Sequence, residues 1–208
     1  MHPVQFRAEN VSPRSRLTTF FRLILAIPHL IWVTLYGIAA GVVVLIAWFA
    51  ILITGRYPQG MWTFVVGYQR YSARVNAYVW LIADAFPPFG AGGTYTAELT
   101  VEPQERHSRL TTFFRVLLAI PAAILAYLLA LAGRVVGFIQ WLVIIVMGSC
   151  PDGLHDFQAM VQRFTLRTYC YLALVTDRYP NFENASPAAP AAESGGTGWD
   201  TGSSGQDW

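Results

Sequence analysis

The chain has 208 residues, of which 54% are hydrophobic and only 12% are charged, and its formal net charge is +2. This composition excludes an intrinsically disordered chain, a nucleic-acid binder, which needs a basic surface, and a disulfide scaffold, which needs more than two cysteines. Because soluble domains are about one quarter charged, the deficit of charge indicates a membrane protein.

The sequence consists of two copies of one unit. The segment Ser-Arg-Leu-Thr-Thr-Phe-Phe-Arg at 15–22 returns unchanged at 108–115, an offset of 93 residues. The same offset matches Gly55 with Gly148 without a gap. The predicted domains are membrane repeat 1 over residues 1–90, membrane repeat 2 over 91–183, and a disordered tail, rich in Gly, Ser, Ala and Pro, over 184–208.

Each repeat begins with an alternating segment. Val4, Phe6 and Ala8 alternate with polar residues, and residues 95–102 alternate in the same way. Alternation with a period of two predicts a half-buried strand, so we expect two short strands that pair across the repeats. The polar start of the chain lacks the apolar core of a secretory signal peptide, and we expect it to remain in the cytoplasm.

A long apolar region follows each strand. Residues 23–55 contain no Asp, Glu, Lys or Arg, and as one helix they would measure about 50 Å against a hydrocarbon core of about 30 Å. The pattern therefore favours a transmembrane or re-entrant hairpin that turns near Gly37 and Gly41, with Arg134 at the tip in the second repeat. Contact between helices through these small residues is the alternative. The four predicted membrane helices run over 17–36, 42–55, 110–129 and 135–149.

A third helix is predicted after each hairpin, over residues 61–83 and 154–176. It carries two arginines four positions apart in each repeat, which oppose a membrane span, together with several Trp and Tyr side chains. This mixture is typical of an amphipathic helix in the membrane interface. Thirteen of the fourteen arginines flank the hairpins, so the positive-inside rule predicts a multi-pass cell-membrane protein with both termini in the cytoplasm. The fold class is thus an all-α membrane protein of two tandem repeats.

The unit resembles an uncharacterised bacterial integral-membrane domain of unknown function that is common in actinobacteria. The resemblance rests on residues 15–22 with the Ala-Ile-Pro at 26–28, on 55–58, and on 176–182. Both copies match, over nearly all of the chain except the tail. The resemblance implies a membrane protein and supplies no chemistry.

No catalytic, cofactor or metal site is predicted. The four histidines have no second ligand at helical spacing, and Cys150 and Cys170 are expected to be reduced and packed in the interior. Asp84 and Asp177 are carboxylates repeated at the offset of 93, and each is expected to cap a turn or to pair with an arginine rather than to act as a general base.

The predicted function is a non-catalytic membrane module that binds anionic lipid headgroups, serves as an accessory subunit of a larger membrane complex, or both. Arginine suits phosphate oxygens, and the candidate headgroup residues are Arg22, Arg70, Arg74, Arg115, Arg163 and Arg167. The competing interpretation is that these arginines only set topology. Trp199 and Trp208 in the tail are candidate docking residues for partner proteins. The alternative function is a small passive transporter or channel that acts as an oligomer.

Overall fold

The computed structural model describes residues 2–10, 13–90, 92–93 and 95–182. The tail prediction, with Trp199 and Trp208, lies outside these residues. In chain order the elements are strand β1 (Val4–Ala8), helices α1 (Arg16–Thr54) and α2 (Gln59–Val79), strand β2 (Ala97–Val101), and helices α3 (Arg109–Met147) and α4 (Asp152–Leu172). The two predicted strands and the third helix of each repeat are thus confirmed within a few residues.

The predicted hairpins are wrong, because α1 and α3 are each one continuous helix of 39 residues, about 58 Å long at 1.5 Å per residue. Each helix begins at a serine whose side chain accepts a hydrogen bond from the helix backbone, and ends at a glycine in the left-handed conformation. Gly37 does not turn the chain. Instead it lets α2 approach, since a Cβ atom there would lie 2.9 Å from the Tyr68 hydroxyl.

Arg134 therefore lies in the interior of α3 and not at the tip of a hairpin. The four predicted membrane helices reduce to two candidates. Among the described residues, α1 and α3 are the helices long and apolar enough to cross a membrane.

The two strands reveal a pseudo-two-fold axis. They pair antiparallel, with Phe6 directly opposite Leu99. These two residues are also repeat equivalents, because 99 − 6 is the repeat offset of 93. The local two-fold of an antiparallel ladder stands perpendicular to the sheet, so the axis that exchanges the repeats passes between Phe6 and Leu99.

Three layers lie along this axis: the sheet, then α2 with α4, then α1 with α3. One side of α2 packs on the sheet through Val66, Ala73 and Ala77, and its opposite side meets α1 through Tyr71 and Tyr78. The strands are exchanged between repeats, since β1 packs on α4 and β2 packs on α2.

The location of α2 and α4 in the membrane interface stays a prediction. Several of their polar residues point inward, and Gln69, Arg74 and Arg167 are all buried. The amphipathic pattern of these helices therefore includes polar contacts inside the molecule.

The long helices α1 and α3 lie side by side and antiparallel. The backbone N–H of Arg14, before α1, donates to Gly148 O after α3, and the N–H of His107 donates to Gly55 O in the equivalent position. Trp48 and Trp141 form a second pair of equivalent contacts. Their indole N–H groups donate to backbone carbonyls at the start of the opposite long helix. The two helices therefore form one antiparallel layer that is tied together at both ends.

Candidate functional site

One buried arginine per repeat fastens the start of the long helix to the end of the shorter helix. Arg22 forms an ion pair with Asp84 and donates to the carbonyls of Tyr78 and Ala83, both at 2.9 Å. Its guanidinium carbon lies 4.5 Å from the centroid of the Tyr78 ring. These contacts tie Arg22, near the start of α1, to the last turn of α2 and to the loop that follows it.

The second repeat builds the same arrangement around Arg115. Its guanidinium pairs with Asp177 and donates to the carbonyls of Tyr171 and Thr176 at 2.8 and 2.7 Å. The expectation that Asp84 and Asp177 pair with arginines is confirmed. Their role is to hold two helix ends together.

Asp177 has further partners that bind its ionised form. Its carboxylate accepts from the Ser108 backbone N–H at 2.8 Å and from the Gln104 amide at 3.0 Å. Burial by itself raises the pKa of Asp177, but hydrogen bonds from His107 and Ser108, with the charge of Arg115, lower that pKa to about 2. The carboxylate is therefore a permanent anion near neutral pH.

Four of the six predicted headgroup arginines do not reach the surface. Arg22, Arg74, Arg115 and Arg167 are each 1–2% exposed. Arg74 donates to the carbonyls of Gly92 and Gly93, and Arg167 donates to the carbonyls of Val4 and Asn181. Since these guanidinium groups are engaged inside the protein, they are not placed to hold a lipid phosphate.

The other two predicted headgroup residues, Arg70 and Arg163, are half-buried beside the sheet. Arg70 donates from Nε to Leu99 O at 3.3 Å, and Arg163 points in the same way toward Phe6 O at 3.5 Å. They flank the layer that lies farthest from α1 and α3. The structure therefore does not bring the six arginines together into one site.

The layer formed by α1 and α3 is apolar on nearly every exposed surface. The buried residues of α1 are separated by three, four, seven or eleven positions, from Thr19 through Ala26, Ala40 and Ala47 to Ile51, so they lie on one face of the helix. The remaining positions carry large exposed side chains, for example Leu35 at 56% and Ile53 at 74%. Contiguous apolar patches of this kind mark membrane or protein interaction surfaces.

A polar cavity of about 370 Å³ lies between the four helices. Gln69 of α2 and its repeat equivalent Gln162 of α4 both line it, which places the cavity about the pseudo-two-fold axis. Gln158 also lines it and donates to Gly133 O at 2.8 Å. The remaining polar lining is contributed by Tyr68, Ser72, Asn76, Arg134, Thr165 and Tyr169.

Arg134 connects this cavity with an apolar groove of about 360 Å³. The groove lies between the first half of α1 and the second half of α3, against the end of α2, and its walls include Leu23, Phe138 and Trp141. Arg134 and Trp80 line both spaces. Arg134 therefore lies at the boundary between the polar cavity and the apolar groove.

The histidines and cysteines make no metal site within the described residues, where no group of three or more His, Cys, Asp or Glu side chains converges. His29 is buried, with Nδ1 2.7 Å from the Tyr71 hydroxyl and its ring stacked on Phe89. Both cysteines are free and buried, and burial raises the pKa of Cys170 to about 12.

Sequence reasoning missed Arg134 as a site residue. The available signal was that Arg134 is the one charged residue between Val116 and Gly148, and that its repeat equivalent is Gly41. The predicted hairpin placed Arg134 at a tip in contact with water, so its charge required no partner in the protein. The continuous helix removes this explanation.

No curated protein and no solved structure matches this chain. Residues 16–91 and 109–183 each match the family model described as a domain of unknown function, DUF4389. The two matches begin at the first residue of α1 and of α3, and together they cover most of the chain. The chain therefore belongs to the DUF4389 family and contains two tandem copies of its domain.

Proposed function

We propose that this protein is a non-catalytic membrane module that sinks the α1–α3 layer into one leaflet of the bilayer and exposes its sheet to the cytoplasm. The observation that carries the proposal is the gradient of polarity along the pseudo-two-fold axis. The outer face of the sheet carries Arg7, Glu9, Glu98 and Glu102, all exposed, whereas the opposite layer exposes apolar side chains.

A spanning orientation of α1 and α3 fits this gradient poorly. The pseudo-two-fold axis is perpendicular to both antiparallel helices, so spanning helices would place the axis, and with it the sheet, at the depth of the bilayer centre. Each exposed charge of the sheet would then cost roughly 2.5–3.5 kcal/mol on insertion scales. With the axis along the membrane normal, the same charges face water and the apolar layer faces lipid.

The cytoplasmic side follows from the distribution of arginine and from the location of the chain ends. Arg167 donates both to Val4 O and to Asn181 O, so the first strand and the last described residues lie on one side of the molecule. The anionic lipids of the cytoplasmic leaflet attract arginine-rich segments at the membrane surface. Both ends of the described chain then face the cytoplasm, as the sequence predicts.

The alternative function, a passive channel, has less support. Toward the sheet, the central cavity meets a packed core that contains Phe6, Val66, Ala73 and Leu99, which would close a path along the axis. An accessory role in a larger complex remains a proposal for which the exposed apolar layer is the available surface.

Single cysteines at the two ends of α1 distinguish the orientations. Arg16 and Arg56 are both exposed, and the native cysteines are buried. In sealed vesicles of known sidedness, we expect a membrane-impermeant maleimide to label Arg16→Cys and Arg56→Cys from the same side. Leu35→Cys, in the middle of the helix, is the matched control and should resist labelling from both sides. Labelling of the two ends from opposite sides would show that α1 spans the bilayer.

A further inference from the structure

We infer that the polar cavity and the adjoining apolar groove together bind one anionic phospholipid, with its phosphate at Arg134. The headgroup would occupy the cavity, and an acyl chain would lie in the groove along α3. The inference rests on the proposed membrane location, which supplies the ligand, and it replaces the six arginines expected from the sequence with a different residue.

The first support is the isolation of Arg134. The side chain is exposed in the most apolar layer of the molecule, and within the described part of the chain it has no carboxylate within 4.0 Å. Ionisable residues at membrane depth are costly and mark functional sites by default. A phosphate group compensates such a charge well, because arginine binds its oxygens through paired, charge-assisted hydrogen bonds.

The second support is a pair of unused amides in the cavity. Gln69 and Gln162 are 5% and 8% exposed, and neither side-chain amide makes a hydrogen bond to any other described residue. Buried polar groups are nearly always hydrogen-bonded. These two amides are therefore available to hydroxyl or phosphate oxygens of a headgroup, and their repeat-equivalent positions bring them to the same chamber as Arg134.

The third support is the apolar lining of the groove, which favours a lipid over a free anion as the ligand. Leu23, Phe138 and Trp141 would contact an aliphatic chain, and a free phosphate ion has nothing to place there. Cavity and groove are each at the lower end of the volumes usual for ligand sites. Since Arg134 and Trp80 line both spaces, one amphiphile can fill them together.

The experiment compares lipid retention in variants that differ in one arginine. Protein reconstituted in vesicles of phosphatidylcholine and phosphatidylglycerol is extracted in mild detergent, and bound lipid is counted by native mass spectrometry. We expect wild type to retain phosphatidylglycerol selectively. Arg134→Gln should lower that retention about tenfold, which corresponds to about 1.4 kcal/mol. Arg56→Gln, at an exposed arginine outside both spaces, is the matched control and should retain lipid like the wild type.

Two further variants keep the test decisive. Arg134→Lys preserves the charge and should recover part of the retention. Gln69→Leu leaves the arginine in place and should reduce selectivity for phosphatidylglycerol over phosphatidylcholine. Because Arg134 is exposed and contributes no ion pair to the described fold, Arg134→Gln should show the same circular dichroism and the same flotation with vesicles as wild type.

The outcomes separate this inference from the proposed function. Wild-type protein that fails to float with vesicles would overturn the membrane location itself. Protein that floats, but whose Arg134→Gln variant retains as much phosphatidylglycerol as wild type, would overturn the lipid site alone. An excess of inorganic phosphate that displaces the bound lipid completely would show that the site recognises only an anion.

Discussion

At the level of single residues, buried arginines hold the elements of the tertiary structure together. Arg22 and Arg115 are each buried beside one carboxylate and two backbone carbonyls. A buried ion pair contributes little net stability when compared with an apolar pair, but removal of one partner leaves an uncompensated charge. The consequence is a strong dependence of the fold on each member of the pair.

We expect Arg22→Gln to lower the free energy of unfolding by about 3 kcal/mol, because the half-buried Asp84 would lose its ion-pair partner and two backbone carbonyls would lose a donor. Thermal unfolding in a mild detergent, followed by circular dichroism, measures the change. Arg56→Gln serves as the control, since Arg56 is exposed and surface charges contribute little. An equal loss of stability in both variants would contradict the structural role of Arg22.

The pKa of Asp177 predicts how stability changes in acid. Its folded pKa of about 2 lies below the ordinary value of 3.8. The ionised carboxylate therefore contributes its full stabilisation above pH 3.8, and this contribution disappears as the pH falls from 3.8 to about 2. At about 1.36 kcal/mol per pKa unit, the pH-dependent part amounts to about 2 kcal/mol.

The measurement compares wild type with Asp177→Asn in unfolding experiments at several pH values. The stability difference between the two proteins should be constant from pH 5 to 7 and should shrink between pH 4 and pH 2. A difference that stays the same over that lower range would mean that the carboxylate is not ionised in the way the structure indicates.

At the level of elements, the glycines inside the two continuous long helices differ in whether they are used for packing. Gly137 of α3 lies against two side chains, and a Cβ atom there would come within 2.8 Å of the Gln158 amide and 3.2 Å of the Trp80 ring. Gly41 of α1 has no neighbouring atom within 4 Å of such a Cβ. One glycine thus permits a close approach, and the other only weakens the helix.

The pair Gly41→Ala and Gly137→Ala tests this distinction. Alanine at Gly41 should raise the free energy of unfolding by about 0.5–1 kcal/mol, because it favours the helix without a clash. Alanine at Gly137 should lower it by about 1–3 kcal/mol through overpacking. If the Gly41→Ala variant were destabilised, a turn at this position would again be the better interpretation.

Packing also overrides backbone preference where α2 and α4 end. Leu81 and Leu174 adopt φ values of 60° and 63°, a left-handed conformation that usually belongs to glycine. Both side chains are buried, and Leu174 packs with Ala47, Ile51 and Tyr57. The apolar contacts of leucine therefore outweigh a backbone strain of about 1–3 kcal/mol.

At the level of the whole molecule, the repeats are interlocked rather than independent. Each strand packs on the helix of the other repeat, and the N–H of Arg14 in one repeat donates to Gly148 O in the other. A single repeat lacks the second strand and the second long helix. It therefore leaves its strand without a partner and one side of α1 uncovered.

We expect the fragment 1–90 not to fold as a monomer. Two copies of it could restore the two-fold arrangement, with two β1 strands in antiparallel pairing, so any folded material should be dimeric. Analytical ultracentrifugation in detergent, with the detergent contribution matched out, measures the mass, and the intact chain is the reference. A folded monomer of the fragment would contradict the interlocked architecture.

The sequence by itself determined the features that depend on local pattern. The repeat offset, the two strands and the third helix of each repeat were predictable, because alternation and helical pattern act over short distances or leave a duplicated trace. For Asp84 and Asp177 the sequence predicted either a turn cap or an ion pair with arginine. The resemblance of both repeats to one uncharacterised family was visible in the same way, and the match of both repeats to a family model of unknown function confirms it.

The tertiary structure decided which residues that are distant in sequence contact one another. Whether Gly37 and Gly41 turn the chain depends on Tyr68 and the rest of α2, and whether Arg74 and Arg167 face lipid depends on the loops and strands whose carbonyls they bind. The meeting of Arg134, Gln69 and Gln162 at one cavity depends on the two-fold packing of the repeats. The periodicity of the sequence cannot predict these contacts, because residues from four helices meet only in the folded protein, where the layers pack around the pseudo-two-fold axis.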